Sequence, residues 1–240
     1  MSYEPARGAP DQPVGAPPGG APASVSNQGG AAALSASING LVVWIARHWL
    51  ALFNIAWGAY VILPFLAPLL MQAGYTTPAR VIYGLYSFTC HQLPDHSYFL
   101  FGDTPVPQAP VLEAAGAPPA GDLFGFRRFI GNAQVGYKVA LCERDVAIYG
   151  SVLLAGLVFV AARRRIRAPS LKVYLLFLIP IAVDGLTQLV GLRESNWWLR
   201  TLTGAIFGAA SVWLAYPYIE DAMRDVIESE QQRQQSRSTS

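Results

Sequence analysis

Charge is what this sequence has least of: only 13% of its 240 residues are Asp, Glu, Lys or Arg, against about 25% in an ordinary soluble domain. With 52% hydrophobic residues beside so little charge, water is not the main solvent of this chain. Cysteine is scarcer still. Cys90 and Cys142 are the two present, which allows one internal bridge and excludes a disulfide scaffold. The basic residues form no stripe of the kind that binds nucleic acid, so no nucleic-acid partner is expected. There is no nucleotide-binding glycine loop and no haem-attachment Cys-x-x-Cys-His, so nothing requires an organic cofactor. The first thirty-odd residues have neither a basic start nor an apolar run, which argues against a secretory signal peptide. Insertion into a membrane is expected to be driven by the first spanning helix.

What is present is four long apolar segments, roughly 49–71, 146–162, 171–190 and 199–219. Each approaches the roughly 20 helical residues needed to cross a hydrocarbon core of about 30 Å. The fold class expected is therefore all-α integral membrane, with about four transmembrane helices. Arg163, Arg164, Arg165 and Arg167, with Lys172 just beyond, crowd the short turn between the second and third segments. The positive-inside rule makes that turn cytoplasmic. Counting spans outward then gives a multi-pass protein of the cell membrane with both termini cytoplasmic and the long connection 72–145 outside. Residues 1–37, rich in Pro, Gly, Ala and Ser, read as a disordered cytoplasmic tail. Residues 38–219 form the helical membrane domain, in which Ile38 to His48 either lies at the inner surface or extends the first span. Residues 220–240 read as a polar cytoplasmic tail that emerges from the last span and frays.

Within the outer connection, Thr77 followed by Pro78 is a helix-start signal, a hydroxyl cap before a proline in the first turn. The helix expected from about Pro78 to Thr89 is too short to span, which makes it interfacial or re-entrant. Gly102 to Gly121, rich in Pro, Ala and Gly, reads as a flexible loop. After it, Phe124, Phe126 and Phe129 alternate with Arg127 and Arg128, an amphipathic loop edge suited also to lipid headgroups. Pro64 and Pro68 near the outer end of the first span favour a kink or an early stop. Trp44 and Trp49 suit a membrane-interface belt, whereas Trp57 would lie deeper. Gly204, Gly208 and Ser211 form a small-residue stripe on the last span, for packing inside the bundle or against a second copy.

Under this topology the polar residues gather at the extracytoplasmic level. Cys90, His91 and Gln92 end the short helix, and Cys142, Glu143, Arg144 and Asp145 precede the second span. Asp184 and Gln188 lie in the outer half of the third span, while Arg193, Asn196, Arg200 and Thr203 surround the start of the fourth. An acid inside a span costs a few kcal/mol and faces the bundle interior. Asp184 therefore needs a partner, with Gln188 one turn further on the same face and Arg193 or Arg200 within reach. It is either a buried clamp that fixes helix packing or part of a substrate or ion site. The cysteines admit three readings: a Cys90–Cys142 disulfide pinning the outer loop, a metal site, or two free thiols. The metal reading draws on Cys90 or His91, Cys142 and Asp145, which offer thiolate, imidazole and carboxylate to a zinc-like divalent ion. Neighbouring Cys90 and His91 would struggle to bind one ion together. His48 and His96 are poor ligand candidates, the first cytoplasmic and the second a surface-loop residue.

The strings Cys90-His91-Gln92-Leu93-Pro94-Asp95-His96-Ser97, Cys142-Glu143-Arg144-Asp145 running into Ile148-Tyr149-Gly150, and Asp184-Gly185-Leu186-Thr187-Gln188 carry a resemblance. So do Gly191, Arg193, Ser195, Asn196, Arg200, Thr203 and Gly204. Together and in this order they resemble the prokaryotic membrane family catalogued as domain of unknown function 2085, over roughly 83–211. The resemblance implies a multi-span membrane protein and brings no established activity. Family members tend to have Cys-x-Arg-Cys where this chain has Asp145 in the last place, and Arg where it has His96. A carboxylate can replace a thiolate as a metal ligand, but it cannot form a disulfide.

The function expected is a membrane protein with a polar, metal-binding pocket at its extracytoplasmic face, lined by Cys90, His91, Cys142, Asp145, Asp184, Gln188 and Arg200. If that pocket is catalytic, hydrolysis or group transfer on a lipid-linked substrate suits a metal near the lipid interface. Whether it is an enzyme stays open. The competing reading is a structural or assembly subunit of a larger membrane complex with a Cys90–Cys142 disulfide. A transporter ranks third, since four spans with no visible internal repeat leave little room for alternating access unless the chain forms a homodimer.

Overall fold

The computed structural model describes residues 25–238, with side chains over 33–236. Residues 1–24, most of the expected N-terminal tail, lie outside the described residues. The chain divides into two compact units, 1–42 and 43–240. Within the described residues the first unit contributes the beginning of helix α1 (Val25–Gln72), so the helix starts well before the expected span. Ala31, Ala32 and Ala33 favour that extension, because alanine loses no side-chain entropy in a helix.

Among the described residues, four helices are long and apolar enough to cross a membrane: α1 over Ala33–Gln72, α5 (Glu143–Ala162), α6 (Leu171–Leu189) and α7 over Trp197–Ser236. They take in the four expected spans. Pro64 and Pro68 are fully buried inside α1, which does not stop at them. Helix α7 runs from Trp197 to Ser238, well past Ile219, where fraying was expected. Its polar end consists of good helix formers, and Arg224 pairs with Glu220 one turn back at 3.7 Å.

In the second unit, α5 and α6 both pack against α7. The closeness of α5 and α7 comes from glycine. A Cβ on Gly208 would collide with the Ile148 carbonyl oxygen and the Ser151 hydroxyl, and one on Gly204 would sit 2.9 Å from the Arg144 carbonyl oxygen. The small-residue stripe is thus filled by α5 of the same chain. Trp49 and Leu50 of α1 close the other end with Val152, Phe159, Val212 and Tyr216. The Trp49 indole donates to Glu220 at 3.0 Å, so this tryptophan is buried and polar-tethered, not part of a surface belt.

The connection between α1 and α5 is where the structure departs most from the sequence reading. It is not purely helical. A three-stranded antiparallel sheet, β1 (Ser97–Leu100), β2 (Gly131–Asn132) and β3 (Gly136–Cys142), has the order β1-β3-β2. β3 is central and reads Tyr-Lys-Val-Ala-Leu after Gly136, a strand-length apolar run with aromatic and β-branched members. The β2–β3 turn is held by Asn132, whose side-chain oxygen accepts from the amides of Gln134 and Val135 at 3.0 and 3.2 Å. Ser97 faces Cys142 across the β1–β3 ladder, which ties the end of β3 to the chain just after Cys90.

The expected flexible loop 102–121 contains a short helix, α3 (Ala109–Ala114), with Leu112 fully buried. Leu112 packs with Phe99, Val135 and Phe126, the last from α4 (Leu123–Arg128). Of the three phenylalanines in the amphipathic edge, Phe126 is core and Phe124 is exposed. The expected short helix exists as α2 (Thr76–Tyr86), but Tyr75 precedes it and no side-chain cap forms. The Thr77 cap is therefore not made: the helix has already begun one residue earlier.

Candidate functional site

Helix α2 ends at Tyr86, and the amide of Cys90 donates back to the Tyr86 carbonyl at 3.0 Å. The chain then turns through Gln92, whose φ of 52° lies in the left-handed region, a conformation that needs support from its surroundings. Several contacts supply it. The Gln92 side chain donates to the Tyr83 carbonyl at 2.9 Å, and the Lys138 amine donates to the carbonyls of Gln92 at 2.8 Å and Arg127 at 2.6 Å. Arg127 in turn donates to the carbonyls of Ser87 and Cys90. Lys138 is buried, and burial brings its amine down to about 7. A neutral amine keeps two N–H donors, which matches its two carbonyl acceptors.

This scaffold places the Cys90 sulfur against the start of α5. Its Sγ accepts from the backbone amides of Gln92 at 3.4 Å and Cys142 at 3.3 Å. Both cysteines carry free thiols. The ligand atoms of Cys90, Cys142 and Asp145 all lie within 4.8 Å of one another. A hydrogen bond from the Cys142 thiol, with help from the Gln92 amide, holds the Cys90 thiol below its ordinary value although burial opposes it. The Cys142 thiol is pushed up, because its proton serves that bond and because it is buried. Both shifts come from one hydrogen bond in which Cys142 donates and Cys90 accepts.

The trio opens onto a cleft of about 360 Å³ whose wall also includes His91, His96, Arg144, Gln188 and Arg200. His91 shares the cleft but is exposed and stands outside the trio. His96 is not the surface-loop residue expected. It is half-buried in the cleft wall, where burial and then the Arg200 charge hold its imidazole below its ordinary value, favouring the neutral ring. The 3-10 turn Pro94–His96, with Pro94 buried, carries it inward.

Asp184 sits beside this cleft at 1% exposure. Arg144 and Arg193 bind its two carboxylate oxygens separately, at 2.5 and 2.8 Å. Arg144 also donates to Gln188 at 3.4 Å, so Asp184 and Gln188 face the same guanidinium, one turn apart. Of the partners considered for Asp184, Arg193 reaches it; Arg200 makes no ion pair with it among the described residues, and Arg144 takes that place. Arg200 instead is buried near Glu143. Asn196 accepts from the Leu199 amide at 3.2 Å and caps α7, and the Thr203 hydroxyl returns to the Leu199 carbonyl at 2.8 Å.

Three residues of the site are not evident from composition or spacing. Lys138 and Arg127 position the Cys90 loop, and buried Glu143 has both carboxylate oxygens without a hydrogen-bond partner. A lysine inside the run Tyr-Lys-Val-Ala-Leu is the one signal available. Alternation in a strand buried on both faces forces that side chain to find acceptors.

A family model described as "Predicted membrane protein (DUF2085)" matches residues 133–214. That stretch includes Cys142, Arg144, Asp145, Asp184 and Arg200 and leaves Cys90 outside. An uncharacterized protein of Methanocaldococcus jannaschii is 31% identical over 160 residues, which cover 64% of this chain and 81% of that protein. No solved structure matches this chain.

Proposed function

This chain belongs to the DUF2085 family of predicted membrane proteins, and from that premise we propose that it binds a zinc-like divalent metal through Cys90, Cys142 and Asp145, in a cleft at the extracytoplasmic face of the cell membrane. The observation that carries the reading is the convergence of three donor atoms to within 4.8 Å, one from Cys90 and two from the β3–α5 junction far from it in sequence. They come from the loop after α2, the end of β3 and the first turn of α5. Bonds of about 2.3 Å to sulfur and 2.0 Å to oxygen separate tetrahedral ligand atoms by about 3.3–3.8 Å. Small side-chain rotations close that gap. The donor set also fits the ion chemically: two sulfurs and a carboxylate are borderline-soft ligands, and the Cys90 thiol is held below its ordinary value.

Three protein ligands leave a coordination position directed at the cleft, the pattern of a site that acts on a ligand. A metal there supplies Lewis-acid polarisation of a bound oxygen, which suits hydrolysis or group transfer on a lipid-linked substrate. The Arg144–Asp184–Arg193 clamp supports the site by fixing Arg144, which lines the cleft and neighbours both Cys142 and Asp145 in sequence. The extracytoplasmic placement rests on the arginine-rich α5–α6 turn being cytoplasmic.

Metal content by mass spectrometry on detergent-purified full-length protein tests the reading. The expected result is a stoichiometric divalent metal that falls to background in Cys142→Ser and in Asp145→Asn. A wild-type protein that carries no metal and takes up none from a zinc buffer overturns it. A second reading has its own observation: the Cys142 amide donates to the Cys90 sulfur at 3.3 Å, which sets the two cysteines side by side. On the oxidising side of the membrane they would form a disulfide pinning the outer loop, as in a structural or assembly subunit. Intact mass two protons below the fully reduced value, with no metal, is its signature.

A further inference from the structure

We propose that the cleft beside the cysteine cluster takes a phosphate-class oxyanion, free or as the headgroup of a phosphate ester, between the guanidinium groups of Arg200 and Arg144. The inference rests on reading this cleft as a ligand site, and it names the chemistry of that ligand.

Arg200 is 5% exposed, so its guanidinium is almost entirely withdrawn from bulk water. Its Nε is buried and has no hydrogen-bond partner, and among the described residues Arg200 makes no ion pair. A guanidinium has five N–H donors in a planar fork. Burying that charge without acceptors is costly, and among the described residues the Arg200 guanidinium forms no hydrogen bond to a protein acceptor. Arg144, on the same cleft wall, has one nitrogen committed to Asp184 and Gln188, while its Nε is buried and unpartnered. The two cations repel one another, the Glu143 carboxylate offsets the Arg200 charge, and Asp184 binds Arg144 directly. Glu143 balances Arg200 without using its donors, since neither Glu143 oxygen accepts a hydrogen bond.

The arrangement is therefore two arginines lining a 360 Å³ cleft, Arg144 anchored by Asp184 and Arg200 with no ion-pair partner among the described residues. An anion entering the cleft relieves the repulsion and satisfies the donors together. Phosphate suits it better than a carboxylate, because it presents three oxygens that can span two guanidinium groups through charge-assisted bonds. Cys90, Cys142 and Asp145 line the same cleft, so an anion held there would lie beside them.

The test uses full-length protein and two probes. Inorganic phosphate binding is followed by broadening of its ³¹P resonance in detergent. Retention of phosphatidylglycerol over diacylglycerol, which lacks the phosphate, is followed by native mass spectrometry from mixed nanodiscs. Arg200→Gln and the paired Arg200→Gln, Glu143→Gln variant are compared with wild type. The pair is needed because the single change strands Glu143, which can prevent folding. The expected result is Arg200-dependent binding of at least one probe, weakened about tenfold or more in the paired variant. Phosphate binding identifies a free anion as sufficient, and phosphatidylglycerol retention alone identifies a lipid headgroup. Wild type that binds neither probe, or a paired variant that binds as well as wild type, overturns the inference. Metal content of the same samples separates the two proposals: metal without Arg200-dependent binding sinks this one alone, and Arg200-dependent binding to metal-free protein sinks the metal reading alone.

Discussion

Two buried charged residues, Lys138 and Asp184, solve the same problem in opposite ways. Asp184 keeps its charge by recruiting two arginines, whose partial exposure of 24% and 38% lets water share the cost. Lys138 has no carboxylate partner among its hydrogen bonds. It meets two carbonyls, and burial brings its amine down to about 7. In the unfolded chain the same amine ionises near its ordinary value of 10.5. Between those values the unfolded state holds one more proton than the folded one, so stability rises with pH there and the penalty of burying the charge is complete below about 7. The limiting slope is about 1.4 kcal/mol per pH unit for one proton. We predict that the thermal stability of detergent-purified protein, measured relative to Lys138→Met, increases from pH 7 to 9. A flat difference across that range would show that Lys138 titrates alike in both states. The asymmetry matters for the site because Lys138 fixes the Gln92 carbonyl, two residues from the Cys90 sulfur.

Among the elements, the pair α5 and α7 is the frame on which the cleft depends, since α5 carries Arg144 and Asp145 and α7 carries Arg200. In a bilayer the helices gain little from hiding apolar surface from one another, so their association relies on close fit. Gly208 is the point of closest fit. Its missing side chain is occupied by the Ile148 backbone carbonyl, which cannot move cheaply, and by the Ser151 hydroxyl, which can. Gly208→Ala is expected to destabilise by about 1–3 kcal/mol. At Gly58 the nearest atom to an added Cβ is Leu153 Cδ1 at an ordinary 3.8 Å, so Gly58→Ala should be neutral or mildly stabilising through helix propensity. Equal melting temperatures for the two variants would mean that α5 and α7 do not approach as described.

The sequence legibility of these elements follows the same physics. The four membrane helices were readable because continuous apolar length is a long, one-dimensional signal. The glycine stripe was readable as packing, though not its partner helix. β3 escaped because its seven-residue strand, interrupted by Lys138, is ambiguous by periodicity, and its partners are a two-residue strand just before it and a four-residue strand far away in sequence. Cys90, Cys142 and Asp145 could be named as candidates from residue type, with Glu143 among the polar residues beside them, while the burial of His96 and Glu143 could not be read, because it depends on the sheet and the 3-10 turn.

At the scale of the whole molecule, orientation decides what chemistry the cleft can meet. α6 and α7 are each long and apolar enough for one crossing, an arrangement that would set the α5–α6 turn and the end of α7 on one side and the sheet-bearing connection and the α6–α7 turn on the other. Arg163, Arg164, Arg165 and Arg167 lie in a short turn, where the positive-inside rule is strongest, whereas Arg80, Arg127, Arg128 and Lys138 are spread through a long connection, where it is weak. The sheet-bearing side is therefore expected outside. Green fluorescent protein fused after Ser240 should fluoresce. Alkaline phosphatase inserted at Gly116, which has open space around it and a φ of 94° in the turn after α3, should be active. The reverse pattern would place both thiols in a reducing compartment. The disulfide reading would then fail outright, whereas the metal trio, which requires reduced sulfur, would be favoured by the same result. An outward-facing cleft sets the two against each other, since there oxidation and metal binding compete for the same pair of sulfurs.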